Sequence, residues 1–191
     1  MTHPLTLFRY CPRCGSPRFE VHDFKSKRCR DCGFTYYHNA AAATVAVIFD
    51  REGRLLVCRR AADPARGTLD LPGGFVDAGE STEDGCRREV AEETGGRAVV
   101  ERFLFSLPNT YLYSGFEVHT ADNFFLCRLT ASESLRPHDD AAELMWLPLA
   151  DVRPELFGLT SVRRGVERLL ADVAAGRLKP AAADENDNPN P

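Results

Sequence analysis

Hydrophobic residues form short runs, several of them alternating with polar residues, as is typical of β-strands. The first two runs, AAAATVAVIF and RLLVCRR, flank a polar turn at Asp50–Gly53. Such a turn between two apolar runs predicts a β-hairpin. Further strands are predicted in TLDL, RAVVERFLFSL, TADNFFLCRLT and AELMWLPLADV, and a closing helix in SVRRGVERLLADVAAG. This order favours an α+β domain built in layers.

One helix interrupts the strands and has clear signals at both ends. Ser81 or Thr82 can cap its start, and Asp84 stands three residues after Ser81 in a capping-box pattern. Gly95 and Gly96 are natural terminators of a helix. The predicted helix is therefore three to four turns long.

Three glutamates of this helix fall within one arc of its surface, at Glu89, Glu92 and Glu93. The residues beside that arc suit packing: Cys86, Val90 and Thr94. Like charges at these spacings cost a helix a few tenths of a kcal/mol each. The pattern therefore suggests a bound cation of the Mg²⁺ or Mn²⁺ type, which prefers oxygen ligands. The alternative is a solvated acidic face, partly neutralised by Arg88 and Arg97.

The spacing resembles the Nudix box, G-x5-E-x7-R-E-U-x-E-E-x-G-U, in which U is an aliphatic residue. The matching positions are Gly74, Glu80, Arg88, Glu89, Val90, Glu92, Glu93 and Gly95. The last aliphatic position is Gly96 here, which is a packing position in the family and not a ligand. The resemblance implies the Nudix fold, an α/β/α sandwich with a mixed sheet.

The resemblance also implies roles for individual residues. Glu89, Glu92 and Glu93 would hold the divalent metal, and the backbone carbonyl of Gly73 would add a ligand. Arg88 would orient a glutamate through a charge-assisted hydrogen bond. Glu80 is expected to belong to the same network.

The general base that activates water varies in position within the family. The segment HDDAAE supplies Asp139, Asp140 and Glu143 between two predicted strands. We favour Glu143, because it directly precedes the LMWLPL run. Glu92 or Glu93 is the other candidate.

The first 38 residues contain two cysteine pairs, Cys11-x2-Cys14 and Cys29-x2-Cys32, each followed by glycine. Such paired knuckles predict a small zinc ribbon with one structural zinc ion, because four thiolates fill a tetrahedral shell. His22 and His38 are alternative ligands, and unliganded thiols are the alternative to a metal site. Cys58, Cys86 and Cys127 are expected to be buried small hydrophobes.

The chain of 191 residues is long enough for one domain with a small appendage, and its net charge is −4. We predict a zinc ribbon over 1–38, a Nudix domain over 39–178 and a disordered tail over 179–191. No apolar run approaches the ~20 residues that span a bilayer, and no secretory signal is evident. We therefore expect a soluble, cytoplasmic protein without membrane contact; the sequence leaves a homodimer open.

The substrate is less clearly encoded than the metal site. NADH pyrophosphatases, one Nudix branch, carry S-Q-P-W-P-F-P-x-S after the box, and this chain has SLPNTYLYS from Ser106. The substitutions put specificity for NADH in doubt. Tyr111, Tyr113 and Phe116 could stack on a nucleobase, and three arginines before the box could meet phosphate: Arg59, Arg60 and Arg66.

The predicted function is a Mg²⁺-dependent hydrolase that cleaves the diphosphate of a nucleoside diphosphate linked to another group. NADH, NAD and ADP-ribose are the favoured small-molecule substrates. Net negative charge gives no bulk reason to bind nucleic acid. The ribbon is nevertheless locally basic, through Arg13, Arg18, Lys25, Lys27, Arg28 and Arg30. A nucleotide-sensing or nucleic-acid-binding regulatory module that uses the ribbon is therefore one alternative, and an enzyme that removes damaged nucleoside triphosphates is another.

Overall fold

The computed structural model describes residues 3–130, 135–136 and 141–180. Most of the predicted tail, and the candidate acids Asp139 and Asp140, lie outside these residues. No helix within the described ranges is long and apolar enough to cross a membrane.

The N-terminal segment forms a small antiparallel sheet of three strands: β1 (Phe19–Asp23), β2 (Ser26–Cys29) and β3 (Thr35–Tyr37). Its own core is small. Cys11, Phe19 and Cys29 are buried there, with Cys32 and Phe34 packed against them. This sheet and the turns that carry the four cysteines are called the ribbon below.

Two sheets form the larger body. In the first, β7 (Gly73–Phe75), β4 (Ala41–Ile48), β9 (Phe116–Leu129) and β8 (Ala98–Tyr113) lie side by side in that order. Its β4–β9 pair is parallel and its other pairs are antiparallel, so the sheet is mixed. The second sheet is antiparallel, in the order β10 (Ala141–Leu147), β5 (Leu55–Arg60) and β6 (Leu69–Asp70).

Two helices cover the sheets, and each helix packs in its own hydrophobic core. Helix α2 (Thr160–Ala174) buries Val162, Gly165, Val166 and Leu169, which follow the i, i+3, i+4, i+7 spacing of one helix face. Helix α1 (Thr82–Thr94) buries Cys86 and Val90 against Ala46, Ile48 and Phe125. The body is thus a helix–sheet–helix sandwich, which confirms the predicted fold class.

The predicted hairpin around Asp50–Gly53 forms only at its turn. Phe49 and Leu55 make one isolated antiparallel bridge, and then β4 and β5 diverge into different sheets. The expectation of two paired strands was wrong, because strand partners are chosen by the faces that each strand must bury. The turn itself is as expected, since the Asp50 N–H donates to the Arg54 carbonyl at 3.0 Å.

The longest hairpin is β8–β9, which joins the body to the ribbon. Near its tip, Phe116 lies edge-on to Phe8 and to His38, at ring-centroid distances of 5.6 and 5.5 Å. His119 lies edge-on to His38 at 5.5 Å, and burial lowers the pKa of His38. The ribbon segment therefore packs against the tip of the β8–β9 hairpin, and residues of this hairpin farther from the tip reach the candidate site.

Candidate active site

Helix α1 places the glutamates of the box, and both of its ends are fixed by local chemistry. The Ser81 hydroxyl accepts a hydrogen bond from the Asp84 N–H at 3.1 Å, as an N-cap should. Gly95 ends the helix in the left-handed conformation, with φ of 70°. Both signals were read correctly from the sequence.

Arg88 organises the acidic face of this helix. Its guanidinium donates to both oxygens of Glu80 at 3.0 Å, and its Nη1 donates to Glu89 at 2.9 Å and to Glu92 at 3.0 Å. Nη2 also reaches the Phe75 carbonyl at 2.8 Å, which ties the helix to β7. Three carboxylates are thereby held around one cation.

The charges shift the pKa values in the expected directions. Hydrogen bonds from Arg88 lower the pKa of Glu80, so that Glu80 stays ionised at neutral pH. The same bonds raise the pKa of Arg88 further. Glu80 and Arg88 thus stabilise each other's charged forms.

Glu93 is buried and faces the turn before the helix, where its Oε2 accepts the Gly73 N–H at 3.1 Å. Gly74 makes room for the neighbouring acid: a Cβ there would lie 2.6 Å from Oε1 of Glu89. A side chain at position 74 would therefore displace the Glu89 carboxylate.

The donor set fits a hard divalent cation, because Glu89, Glu92 and Glu93 supply carboxylate oxygens and the glycine turn leaves space beside them. Arg88 donates hydrogen bonds to Glu89 and Glu92, and the Gly73 N–H donates one to Glu93. Within the described part of the chain, only the ribbon cysteines bring three or more ligand atoms within 4.8 Å of one another. Holding one ion among all three glutamates would thus require side-chain rotations.

Gly96, the departure from the box pattern, is buried behind the helix. A Cβ there would lie 2.8 Å from Cδ2 of Leu135 and 3.1 Å from Oγ1 of Thr94. The space that an aliphatic residue would fill is taken by Leu135 and Leu129.

The four ribbon cysteines converge, as predicted. Sγ of Cys11 lies 3.7 Å from Sγ of Cys32, and Sγ of Cys14 lies 3.6 Å from Sγ of Cys29. Thiolates at the usual Zn–S distance of about 2.3 Å in a tetrahedron would be about 3.8 Å apart. A hydrogen bond from the Cys32 N–H contributes most to lowering the pKa of Cys29, which falls to about 7. The geometry and the donor chemistry therefore fit a zinc ion.

The favoured base, Glu143, lies in β10, opposite Arg59 of β5. It pairs with Arg59 of β5 at 3.0 Å, and both side chains are largely exposed. Neither residue lines the cavity beside the box. Arg59, a candidate for phosphate contact, is therefore occupied by Glu143 and by the Gly67 carbonyl, at 2.9 Å.

The structure separates the three aromatic residues predicted to stack on a base. Tyr111 lines the cavity beside the box, where burial raises the pKa of its hydroxyl. Tyr113 is exposed near the hairpin tip, and Phe116 is engaged by the ribbon. Only Tyr111 is in a position to contact a ligand bound in the cavity.

This cavity of about 160 Å³ contains polar residues that the sequence analysis did not single out. Its lining includes Gly73, Gly74 and Glu93, and it also includes Asp70, Asn109 and Asp122. Asp70 forms a buried ion pair with Arg60 at 2.6 Å, and burial raises the pKa of its carboxyl. The signal that could have revealed Asp122 is a charged residue inside the TADNFFLCRL strand, two positions before a buried phenylalanine pair.

Comparison with known proteins identifies the family. The model of the NUDIX domain matches residues 39–170. The chain belongs to this family, and the resemblance noted in the sequence is confirmed.

Two similar proteins are named for different activities. An NAD-capped RNA hydrolase, NudC, of Haemophilus influenzae is 33% identical over 180 residues, covering 94% of this chain and 66% of its own length. An ADP-ribose pyrophosphatase of Methanocaldococcus jannaschii is 42% identical over 60 residues, which is 31% of this chain and 34% of that protein. The chain spans about three fifths of the length of the first relatives that it matches.

The solved structures support the same fold. A NUDIX hydrolase from Nitrosomonas europaea superposes with a TM-score of 0.73 at 20% identity, covering 92% of this chain and 96% of that one. At this identity the likeness concerns the fold alone.

Proposed function

We propose that the chain is a divalent-metal-dependent hydrolase that cleaves the diphosphate linkage of a nucleoside diphosphate joined to another group. NAD, NADH and ADP-ribose are the substrates favoured. The observation that carries the proposal is the acidic cluster around Arg88 and Glu93, which borders a cavity large enough for part of a nucleotide. Relatives named for NAD-capped RNA and for ADP-ribose support this substrate class.

In this proposal the box residues have distinct tasks. Glu89, Glu92 and Glu93 hold the metal, with the Gly73 carbonyl as a further ligand, and Arg88 and Glu80 fix the orientation of the glutamates. When bound, the cation supplies neutralisation of the diphosphate and acidification of the attacking water. A carboxylate then takes the proton from that water.

The identity of this base stays a proposal, with Glu92 or Glu93 set against Glu143. Proximity to the cavity favours Glu93, which lines it. Glu143 would first have to leave Arg59, and such an exposed pair costs little to break. Both candidates therefore have to be tested.

The decisive experiment is the substitution Glu93→Gln, which keeps the volume and an acceptor for the Gly73 N–H but removes the charge. We expect hydrolysis of every substrate to fall by about 10²- to 10⁴-fold, because the substitution removes a carboxylate that serves either as a metal ligand or as the general base. Glu83→Gln is the matched control, since Glu83 is an exposed residue of the same helix that accepts a hydrogen bond from the Thr82 hydroxyl. Turnover by Glu93→Gln equal to that of the control would contradict the proposal.

A second substitution, Glu143→Gln, identifies the base. A loss as large as that of Glu93→Gln, with Mn²⁺ affinity unchanged, would assign the base to Glu143. A loss below about tenfold would leave the task to Glu92 or Glu93. Hydrolysis products are separated by chromatography, and Mn²⁺ binding is followed by electron paramagnetic resonance.

A further inference from the structure

The cavity beside the box is about the size of one aromatic ring system. Its volume of about 160 Å³ is close to that of an engineered cavity of about 150 Å³ that binds benzene. The walls include apolar groups from Val45, Leu71 and Val162, and the partly buried Tyr111. A planar heterocycle is therefore the part of a nucleotide that fits.

One wall carries a buried carboxylate, that of Asp122, which forms no ion pair with the described residues. Asp122 is only 5% exposed, and its two oxygens accept one hydrogen bond each, from the Thr120 and Ser161 hydroxyls, both at 2.5 Å. Within the described ranges, no arginine, lysine or histidine forms an ion pair with it. Another buried acid of the cavity, Asp70, does have such a partner in Arg60.

The hydroxyl contacts leave part of the acceptor capacity of Asp122 unused. An ionised carboxylate offers about four lone-pair sites, and two are engaged here. Ser161 lies in the first turn of α2, whose amino end favours a negative charge nearby. Asp122 is thus held in one orientation by the two hydroxyls while it lines the cavity.

We propose that Asp122 accepts a hydrogen bond from an N–H group of the substrate's heterocycle, either the exocyclic amine of adenine or the carboxamide of a pyridine ring. This inference rests on the proposed function, because it assigns the cavity to one end of the same substrate. Asn109 and Tyr111, from the neighbouring strand β8, complete the wall around the ring. Asp122 then determines specificity and takes no part in bond cleavage.

A purely structural role makes a different prediction. If Asp122 only ties β9 to α2 through Ser161, its loss would affect all substrates equally. If it binds an N–H donor, its loss would remove the discrimination between substrates that have this donor and substrates that lack it.

The experiment compares NAD with two analogues. One carries hypoxanthine in place of adenine and lacks the exocyclic amine; the other carries 3-acetylpyridine and lacks the carboxamide N–H. In the wild-type protein, we expect kcat/KM for one analogue to be about 10- to 100-fold below that for NAD, as for loss of a hydrogen bond to a charged group. The affected analogue identifies the ring in the cavity.

In Asp122→Ala, this difference should shrink to below about threefold, while Ser161→Ala should keep it. Equal kcat/KM values for all three dinucleotides in the wild type would overturn the inference, as would an unchanged difference in Asp122→Ala. Melting temperatures establish that each variant folds. If Asp122→Ala does not fold, Asp122→Leu, which is close to aspartate in size and has no acceptor atom, is measured in its place under the same criteria.

Failure of the proposed function is distinguishable from failure of this inference. If the wild type hydrolyses no dinucleotide and no ADP-ribose, the proposed function fails. The cavity is then tested by calorimetric binding of AMP against IMP, and of nicotinamide mononucleotide against its 3-acetylpyridine analogue. Tighter binding of one amine- or amide-bearing member in the wild type, lost in Asp122→Ala, supports the role of Asp122; equal affinities overturn it.

Discussion

The ribbon gathers four potential ligand side chains and the box of the body three, and the two regions hold these side chains in different ways. In the ribbon, four thiols face one another, with a buried core of Cys11, Phe19 and Cys29 beside them. In the body, the box carboxylates are already held by Arg88, and two separate hydrophobic cores support the helices around them. A metal in the ribbon would therefore be part of the fold, whereas a metal at the box would serve chemistry on a fold that stands without it.

Removal of the ribbon metal is the strongest way to test this contrast. Cys32→Ser should abolish binding of one zinc ion per chain and unfold the ribbon, because structural zinc contributes ~10–16 kcal/mol in peptides of this kind. Zinc content by atomic absorption and exchange of the ribbon amides would report the loss. Cys86→Ala is the control. Cys86 lies in the hydrophobic core beneath helix α1, so this substitution should leave the zinc content unchanged.

If Cys32→Ser retained a full equivalent of zinc, the claim that the four ribbon cysteines bind a structural zinc ion would be contradicted. Amides of the body should keep their protection from exchange in this variant, apart from those near the hairpin tip, where Phe116 and His119 meet the ribbon. Unfolding of the whole body would show that the two regions are not separable in this way.

At the box, the substitution Gly74→Ala should reduce activity far more than stability. The new Cβ would meet the Glu89 carboxylate at 2.6 Å, and the end of a flexible side chain can move aside at small cost in folding. The moved carboxylate would no longer be positioned for metal, so we expect kcat/KM to fall at least about tenfold. Turnover and melting temperature are measured together; a large fall in melting temperature with normal turnover per folded molecule would contradict the assignment.

The same contrast explains which features were predictable from the sequence. Helix α1, its caps and the cysteine knuckles follow from spacings of two to four residues, which fix geometry locally. The prediction that β4 pairs with β5 was wrong, because β4 pairs with β9 and β5 pairs with β10, and both partners are more than sixty residues away in the sequence. Sequence spacing carries little information on such long-range choices.

The cavity was hidden for the same physical reason. Asp70, Asn109 and Asp122 come from three strands of two sheets, and only the folded sandwich brings them to one wall. Glu143 illustrates the same limit. Its place before an apolar run is visible in the sequence, but its partner is set by the register of β10 on β5, which places it opposite Arg59. Motifs can thus be located by spacing, whereas the surroundings that set specificity depend on strand register.

The smallest expected effect concerns Glu80, which accepts hydrogen bonds from the Arg88 guanidinium of the box helix and from the Asp77 N–H. Its pKa is lowered from 4.5 in the folded state by Arg88, so the folded state binds a proton less readily than the unfolded state does. The stability from this pair is therefore present above the unfolded pKa and is lost as the pH falls through the lower folded pKa. Glu80→Gln should be less stable than wild type near neutral pH, and the two urea midpoints should converge at a pH below the lowered pKa of Glu80. A difference that persists unchanged at that pH would mean that Glu80 acts through packing, for example against Gly85, and not through its charge.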